Sequence, residues 1–160
     1  MNTSKPNIEA NYRNMVETAR EFINDENDLI ALLANLSALI KIYVDDLNWV
    51  GFYLIKGKEL VLGPFQGKPA CTRLGEGKGV CGKAVIEAKA VMVGNVHDFP
   101  GHIACDSASV SELVIPFFKD GCVYGVLDLD SPLPGRFSET EAHYLGEIAE
   151  LLTDFLKKKR

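Results

Sequence analysis

The chain has no excess of positive charge: 17 lysines and arginines stand against 22 aspartates and glutamates in 160 residues, a formal net charge of −5. A surface that tracks nucleic-acid phosphates needs the opposite balance, so that class is excluded. The one basic cluster, residues 157–160, follows a helical pattern, where positive charge complements a helix C-terminus. No uninterrupted apolar run approaches membrane-spanning length. The opening MNTSKPNIEANYR has no apolar core of the kind a secretory signal carries. The expected location is therefore the cytoplasm, with no membrane partner. In that reducing compartment the four cysteines are not expected to form a structural disulfide framework. Cys71, Cys81, Cys105 and Cys122 contain no C-x-x-C pair, and His97 and His102 are not at helix-face separation, so no metal site is expected.

Repeats, low-complexity tracts and linkers are also missing. A single domain over 1–160 is expected, with 1–27 as an N-terminal helical extension. What is present is clear periodicity. Residues 11–24 carry apolar groups at helical spacing, and Asp28 is placed to cap a second helix with a broad apolar face. NWVGFYLIKGKELVLGPF (48–65) and SELVIPFFKDGCVYGVLDLDS (111–131) read as two hairpins. Between them, GVCGKAVIEAK (79–89) reads as a short helix and AVMVGNV (90–96) as a strand. Ser138 and Glu141 form a capping-box pattern before the last helix. Helices at both ends around strand hairpins imply an α+β layer fold. The stretch 97–110 is the one sizeable segment without periodicity, and long irregular loops of this kind are usually functional.

Several groups are candidates for chemistry. Gly77, Gly79 and Gly82 match G-x-G-x-x-G, but no strong strand feeds them and no βαβ alternation follows, so a dinucleotide site is not expected. Glycines opening a helix still leave backbone N–H groups able to hold a small anion such as a carboxylate. Cys81 lies in that first turn, where a helix N-terminus favours the thiolate; the alternative is a small buried residue on the helix's inner face. Strand alternation places Asp128 and Asp130 on one face and Leu127 and Leu129 on the other. Covered by the 97–110 loop, with Glu112 nearby, the aspartates would share a pocket in which one is readily protonated. Trp49 and Tyr53 share a strand face with Gly51 between them, either as core packing or as an aromatic wall for a methyl group. Cys105, beside Asp106 in a polar loop, is poorly placed for packing and well placed for sulfur chemistry.

Together NWVGFYL, LGPFQGKPAC, GKGVCG, GHIACD, SELVIPFF and GVLDLDS resemble the free methionine-(R)-sulfoxide reductases, stand-alone GAF-domain enzymes. The resemblance runs from about residue 28 to the final helix. It implies a GAF fold, with a central antiparallel sheet, the terminal helices packed on one side and a loop-covered ligand pocket on the other. It implies Cys105 as the attacking cysteine, Cys81 as its disulfide partner and Cys71 as a third cysteine able to enter disulfide exchange. It implies that Trp49 and Tyr53 enclose the substrate methyl, and that Glu112, Asp128 and Asp130 bind substrate and assist proton transfer. Thioredoxin would be the reductant, with no bound cofactor, and Cys122 falls outside the pattern. The amphipathic terminal helices make a homodimer a further expectation. The competing reading is a GAF module that senses a small molecule without catalysis; fold alone does not separate the two.

Overall fold

In a computed structural model that describes residues 7–103 and 105–159, the strands form one six-stranded antiparallel sheet. In chain order the elements are α1 (Ile8–Asp25), α2 (Leu29–Tyr43), β1 (Trp49–Lys56), β2 (Glu59–Gly67), β3 (Arg73–Leu74), α3 (Gly79–Glu87), β4 (Val91–Val93), β5 (Ser111–Lys119), β6 (Cys122–Ser131) and α4 (Glu139–Lys158). Across the sheet the strands run β3-β2-β1-β6-β5-β4. The two long hairpins therefore meet at the centre, where β1 pairs with β6.

Local chemistry accounts for the boundaries. The side chains of Asn7 and Asp28 accept hydrogen bonds from the amides of Ala10 and Ala31, capping α1 and α2. At α4, Ser138 and Glu141 cap each other's backbone N–H groups reciprocally, as their spacing predicts. The β5–β6 turn is made by Asp120 and Gly121, both at positive φ (52° and 77°). Such a turn carries the right-handed twist of the strands it joins.

The strands alternate between two apolar layers. Val50, Phe52, Leu113, Ile115, Leu127 and Leu129 face α1, α2 and α4 in the main core. A fully buried side chain of this size contributes about 1.5–3 kcal/mol. Residues of the opposite register, including Trp49, Tyr53, Val114 and Val126, meet α3 in a smaller cluster. This second layer is the one that holds the pocket.

Two sequence expectations change, and one short strand was not foreseen. The strand expected over 90–96 is reduced to Val91–Val93, followed by a 3-10 turn at Val96–Asp98 capped by Asn95. β3 was not legible, since two residues carry no periodicity. The expected N-terminal helical extension 1–27 is helical over Ile8–Asp25, and it packs into the domain, because Tyr12, Met15, Val16 and Ala19 of α1 are buried in the main core. The apolar faces of α1 and α4 fill one another, with Tyr12 and Tyr144 at 5.9 Å between ring centroids, so that amphipathicity is accounted for inside the fold. Residues 1–6, and Arg160 of the basic cluster, lie outside the described residues. Among the described residues no helix is long and apolar enough to cross a membrane.

Candidate functional site

β1 sets the aromatic wall. Trp49 stacks on Phe65 at 5.3 Å and 16°, and on Tyr53 at 5.9 Å and 27°. Glycines make the space. A Cβ on Gly51 would clash with Phe65 and come within 2.8 Å of the Trp49 ring, and one on Gly67 would come within 2.6 Å of it. Tyr53 donates its hydroxyl hydrogen to the carbonyl of Cys71 at 2.8 Å, which ties the wall to the segment carrying that cysteine. Trp49 Nε1 is buried and has no partner among the described residues.

β5 and β6 supply the acids. Asp128 and Asp130 project from the face opposite Leu127 and Leu129, and Glu112 pairs with Asp130 across the strands. Glu112 and Asp128 are buried, and Asp128 Oδ1 has no hydrogen-bond partner among the described residues. Burial pushes the Asp128 carboxyl up to about 6, less than burial alone would, because interactions with Glu112 and Cys81 favour its ionised form. Glu112 is pushed well above the usual carboxylate range by burial and then by Asp128 and Asp130. Asp130 is pushed well up by burial and then by Asp128 and Asp106. Three carboxyls this close cannot all ionise cheaply, so the site stores protons near neutral pH.

α3 and the 97–110 loop close the cavity. Lys78, Gly79 and Val80, at the start of α3, line it, and the side chain of the N-cap residue Lys78 makes no capping hydrogen bond. Gly77 and Gly79 hold positive φ of 70° and 67°, and Gly82 packs against the Gly77 backbone too closely for a Cβ. The glycine pattern thus serves a tight helix entry. From the loop, His102, Ile103, Cys105, Asp106 and Ser109 reach the cavity. The space open to the centres of water-sized molecules is about 50 Å³. One water needs roughly 10–15 Å³ by that measure, so the site suits a small ligand.

Cys105 is joined to Cys71 by a disulfide that spans 34 residues of sequence, with Cα atoms 5.5 Å apart. Cys81 is a free, buried thiol 4.0 Å from Glu112 Oε1, and Cys122 is free and exposed. The thiol of Cys81 is pushed well up by burial and by Asp128 and Glu112. Cys81, Glu112 and Asp128 also offer ligand atoms within 4.8 Å of one another, a spacing that a divalent ion could bridge.

The comparisons with known proteins agree with the fold. The GAF domain family matches residues 7–153. The free methionine-R-sulfoxide reductase of Escherichia coli (strain K12) is 47% identical over 131 residues, 82% of this chain and 79% of its own. Its counterpart in Saccharomyces cerevisiae is 41% identical over 128 residues, 75% of this chain and 71% of its own. The structure of free methionine-R-sulfoxide reductase from Neisseria meningitidis in complex with its substrate has a TM-score of 0.91 at 45% identity, covering 98% of this chain and 94% of that one. The chain belongs to the free methionine-R-sulfoxide reductase family, built on a GAF domain.

The structure brings most residues named by the family resemblance to one cavity and pairs the sulfurs differently. Trp49, Tyr53, Cys81, Cys105, Glu112, Asp128 and Asp130 all line one cavity. The expected Cys81–Cys105 pairing is replaced by Cys71–Cys105. Of the two alternatives at Cys81, the small buried residue is the one seen, and burial among carboxyls pushes its thiol up despite the helix N-terminus. Two residues had not been singled out for a role. Asn48 donates from Nδ2 to Asp106 Oδ2 and to Ser109 Oγ, both at 3.0 Å, pinning the Cys105 loop to the start of β1. Asp106 was visible only as the neighbour of Cys105; an Asp-x-Ala-Ser turn signal was its one sequence cue.

Proposed function

We propose that this chain reduces free L-methionine (R)-sulfoxide to L-methionine with no bound cofactor. The observation that carries the reading is a disulfide-forming pair, Cys71 and Cys105, beside a small cavity walled by Trp49 and Tyr53 and floored by proton-holding carboxyls. In the reduced enzyme the Cys105 thiolate attacks the sulfoxide sulfur while one of Glu112, Asp128 and Asp130 gives its proton to the oxygen. In the adduct the oxygen, now a hydroxyl, passes to the Cys105 sulfur as the substrate's sulfur–oxygen bond and the new sulfur–sulfur bond both break, so methionine leaves with its sulfur reduced and Cys105 keeps the oxygen as a sulfenic acid. The Cys71 sulfur then attacks Cys105, forming the disulfide and releasing water. One sulfoxide is reduced and two thiols are oxidised. Thioredoxin, in the cytoplasm, would return both thiols.

The aromatic wall takes the substrate methyl, and the uncapped amides at the start of α3 take its carboxylate. Cys81 supplies neither sulfur of the disulfide; it packs beneath the acids as a neutral thiol. A purely sensing module would use the cavity and has no need of paired sulfurs beside it.

Racemic free methionine sulfoxide, offered with thioredoxin, thioredoxin reductase and NADPH, should be consumed to about half, leaving the S epimer. Consumption of both epimers, or equal rates on sulfoxide within peptides, would refute an enclosed site for the free amino acid.

A further inference from the structure

Cys71 lies in the connection 68–72 between β2 and the two-residue edge strand β3, and Cys105 lies in the 97–110 loop. A disulfide requires Cα atoms about 4.4–6.8 Å apart, and here they are 5.5 Å apart. Once the bond is reduced, only noncovalent contacts keep the two segments at that distance. Among the described residues, the connection 68–72 makes two hydrogen bonds beyond itself. The amide of Leu62 donates to the Thr72 carbonyl at 3.0 Å, and the Tyr53 hydroxyl donates to the Cys71 carbonyl at 2.8 Å. On the other segment, Asn48 Nδ2 donates to Asp106 Oδ2 and to Ser109 Oγ, both at 3.0 Å. The two anchors are themselves fixed to the sheet. Tyr53 pairs with Leu62 and Val126 on the neighbouring strands, and the Asn48 amide donates to the Asp130 carbonyl at 3.1 Å.

We propose that β1, with the residue before it, is the frame of the redox pair: the Tyr53 hydroxyl holds the Cys71 segment and Asn48 holds the Cys105 segment, so that the reduced sulfurs stay within bonding reach. Both are positioning residues, acting through the cysteines they hold. For Tyr53 this role belongs to the hydroxyl and is separate from the place of its ring in the aromatic wall.

The chemistry of the anchors suits the task. Tyr53 is 3% exposed, and burial followed by the charge of Asp128 keeps its proton above the usual tyrosine range, so it remains a donor. Its acceptor is a backbone carbonyl, which fixes the chain and leaves the sulfur free to react. Two segments held in this way give their sulfurs a high effective concentration. Releasing one adds freedom to the dithiol form, and closure must remove that freedom again. Ala70, Cys71, Ile103 and Cys105 also pack on the smaller apolar cluster, so losing one anchor weakens closure without abolishing it. In the proposed cycle, slower closure leaves Cys105 longer as a sulfenic acid, open to the next oxidation step.

The test measures closure itself. Parent, Tyr53→Phe and Asn48→Ala are equilibrated in graded mixtures of reduced and oxidised glutathione, and the Cys71–Cys105 fraction is read by alkylation and mass spectrometry. Tyr53→Phe keeps the ring and removes only the hydroxyl. It should lower the closure constant roughly 2- to 10-fold, and Asn48→Ala should lower it by a similar or larger factor. Urea unfolding of both redox forms completes the cycle: each variant should destabilise the oxidised protein more than the reduced one, by the same factor. Equal destabilisation of the two forms with an unchanged closure constant would overturn the proposal and leave both groups as ordinary supports of the fold. A change confined to one variant would overturn the frame at the other residue. No sulfoxide enters the measurement, so its result stands apart from whether the chain reduces methionine sulfoxide.

Discussion

Replacing Asp128 by Asn should make the protein relatively more stable as the pH rises. The carboxyl is raised from an ordinary value of 3.8 to about 6, chiefly by burial. Between those values the folded chain binds more protons than the unfolded one, so the parent loses stability as pH climbs through that window. A shift of about two units corresponds to roughly 3 kcal/mol. The amide carries a fixed cost of its own for new hydrogens that need acceptors, about 1–3 kcal/mol, but that cost does not vary with pH. The difference between variant and parent should therefore swing by about 3 kcal/mol toward the variant between pH 4 and pH 8. Removing the Asp128 charge also relieves Glu112, which adds in the same direction. In a domain of this size that swing is roughly 6–12 °C in Tm. The assay is urea unfolding of the oxidised protein across the pH series, with activity measured in parallel and expected to be lost. A pH-independent difference, flat to within about 1 kcal/mol, would show that Asp128 titrates like an exposed carboxylate and would remove it from the proton-holding set.

Two further outcomes follow from packing and capping. Gly51→Ala should destabilise the fold by about 1–3 kcal/mol in denaturant melts and weaken substrate affinity, because its methyl would occupy space held by Phe65 and Trp49. Glu141→Gln should cost about 1–3 kcal/mol at pH 7, since Glu141 accepts from Tyr12, Arg136 and Ser138. Although burial alone would raise its carboxyl, the Ser138 and Arg136 contacts hold it below the usual range. That stability is present above the unfolded value and lost as pH falls through the lowered one, so the deficit should shrink in acid.

Elements governed by local periodicity were legible in the sequence. Leu127 and Leu129 face the main core and Asp128 and Asp130 face the cavity because a strand alternates, and Ser138 and Glu141 cap α4 because their spacing allows it. Trp49 and Tyr53 fell on one face for the same reason. The sulfur pairing was not legible. It depends on Tyr53 fixing the Cys71 carbonyl and on Asn48 fixing the Cys105 loop, contacts between segments far apart in the chain. The choice between the two alternatives at Cys81 was not legible because its helix-terminal position is a local signal, whereas its acidity is set by burial and by carboxyls from β5 and β6. Asp106 was passed over because an aspartate in a polar loop looks solvated until its two donors are seen.

The central claim is that Cys105 attacks and Cys71 resolves. The direct measurement is to reduce the protein fully, remove the reductant, add one equivalent of free methionine (R)-sulfoxide, block the remaining thiols and map the cysteines by mass spectrometry. The account predicts one methionine released per chain, a Cys71–Cys105 disulfide, and alkylated Cys81 and Cys122. A Cys81–Cys105 link, or methionine released with both Cys71 and Cys105 still alkylated, would contradict it.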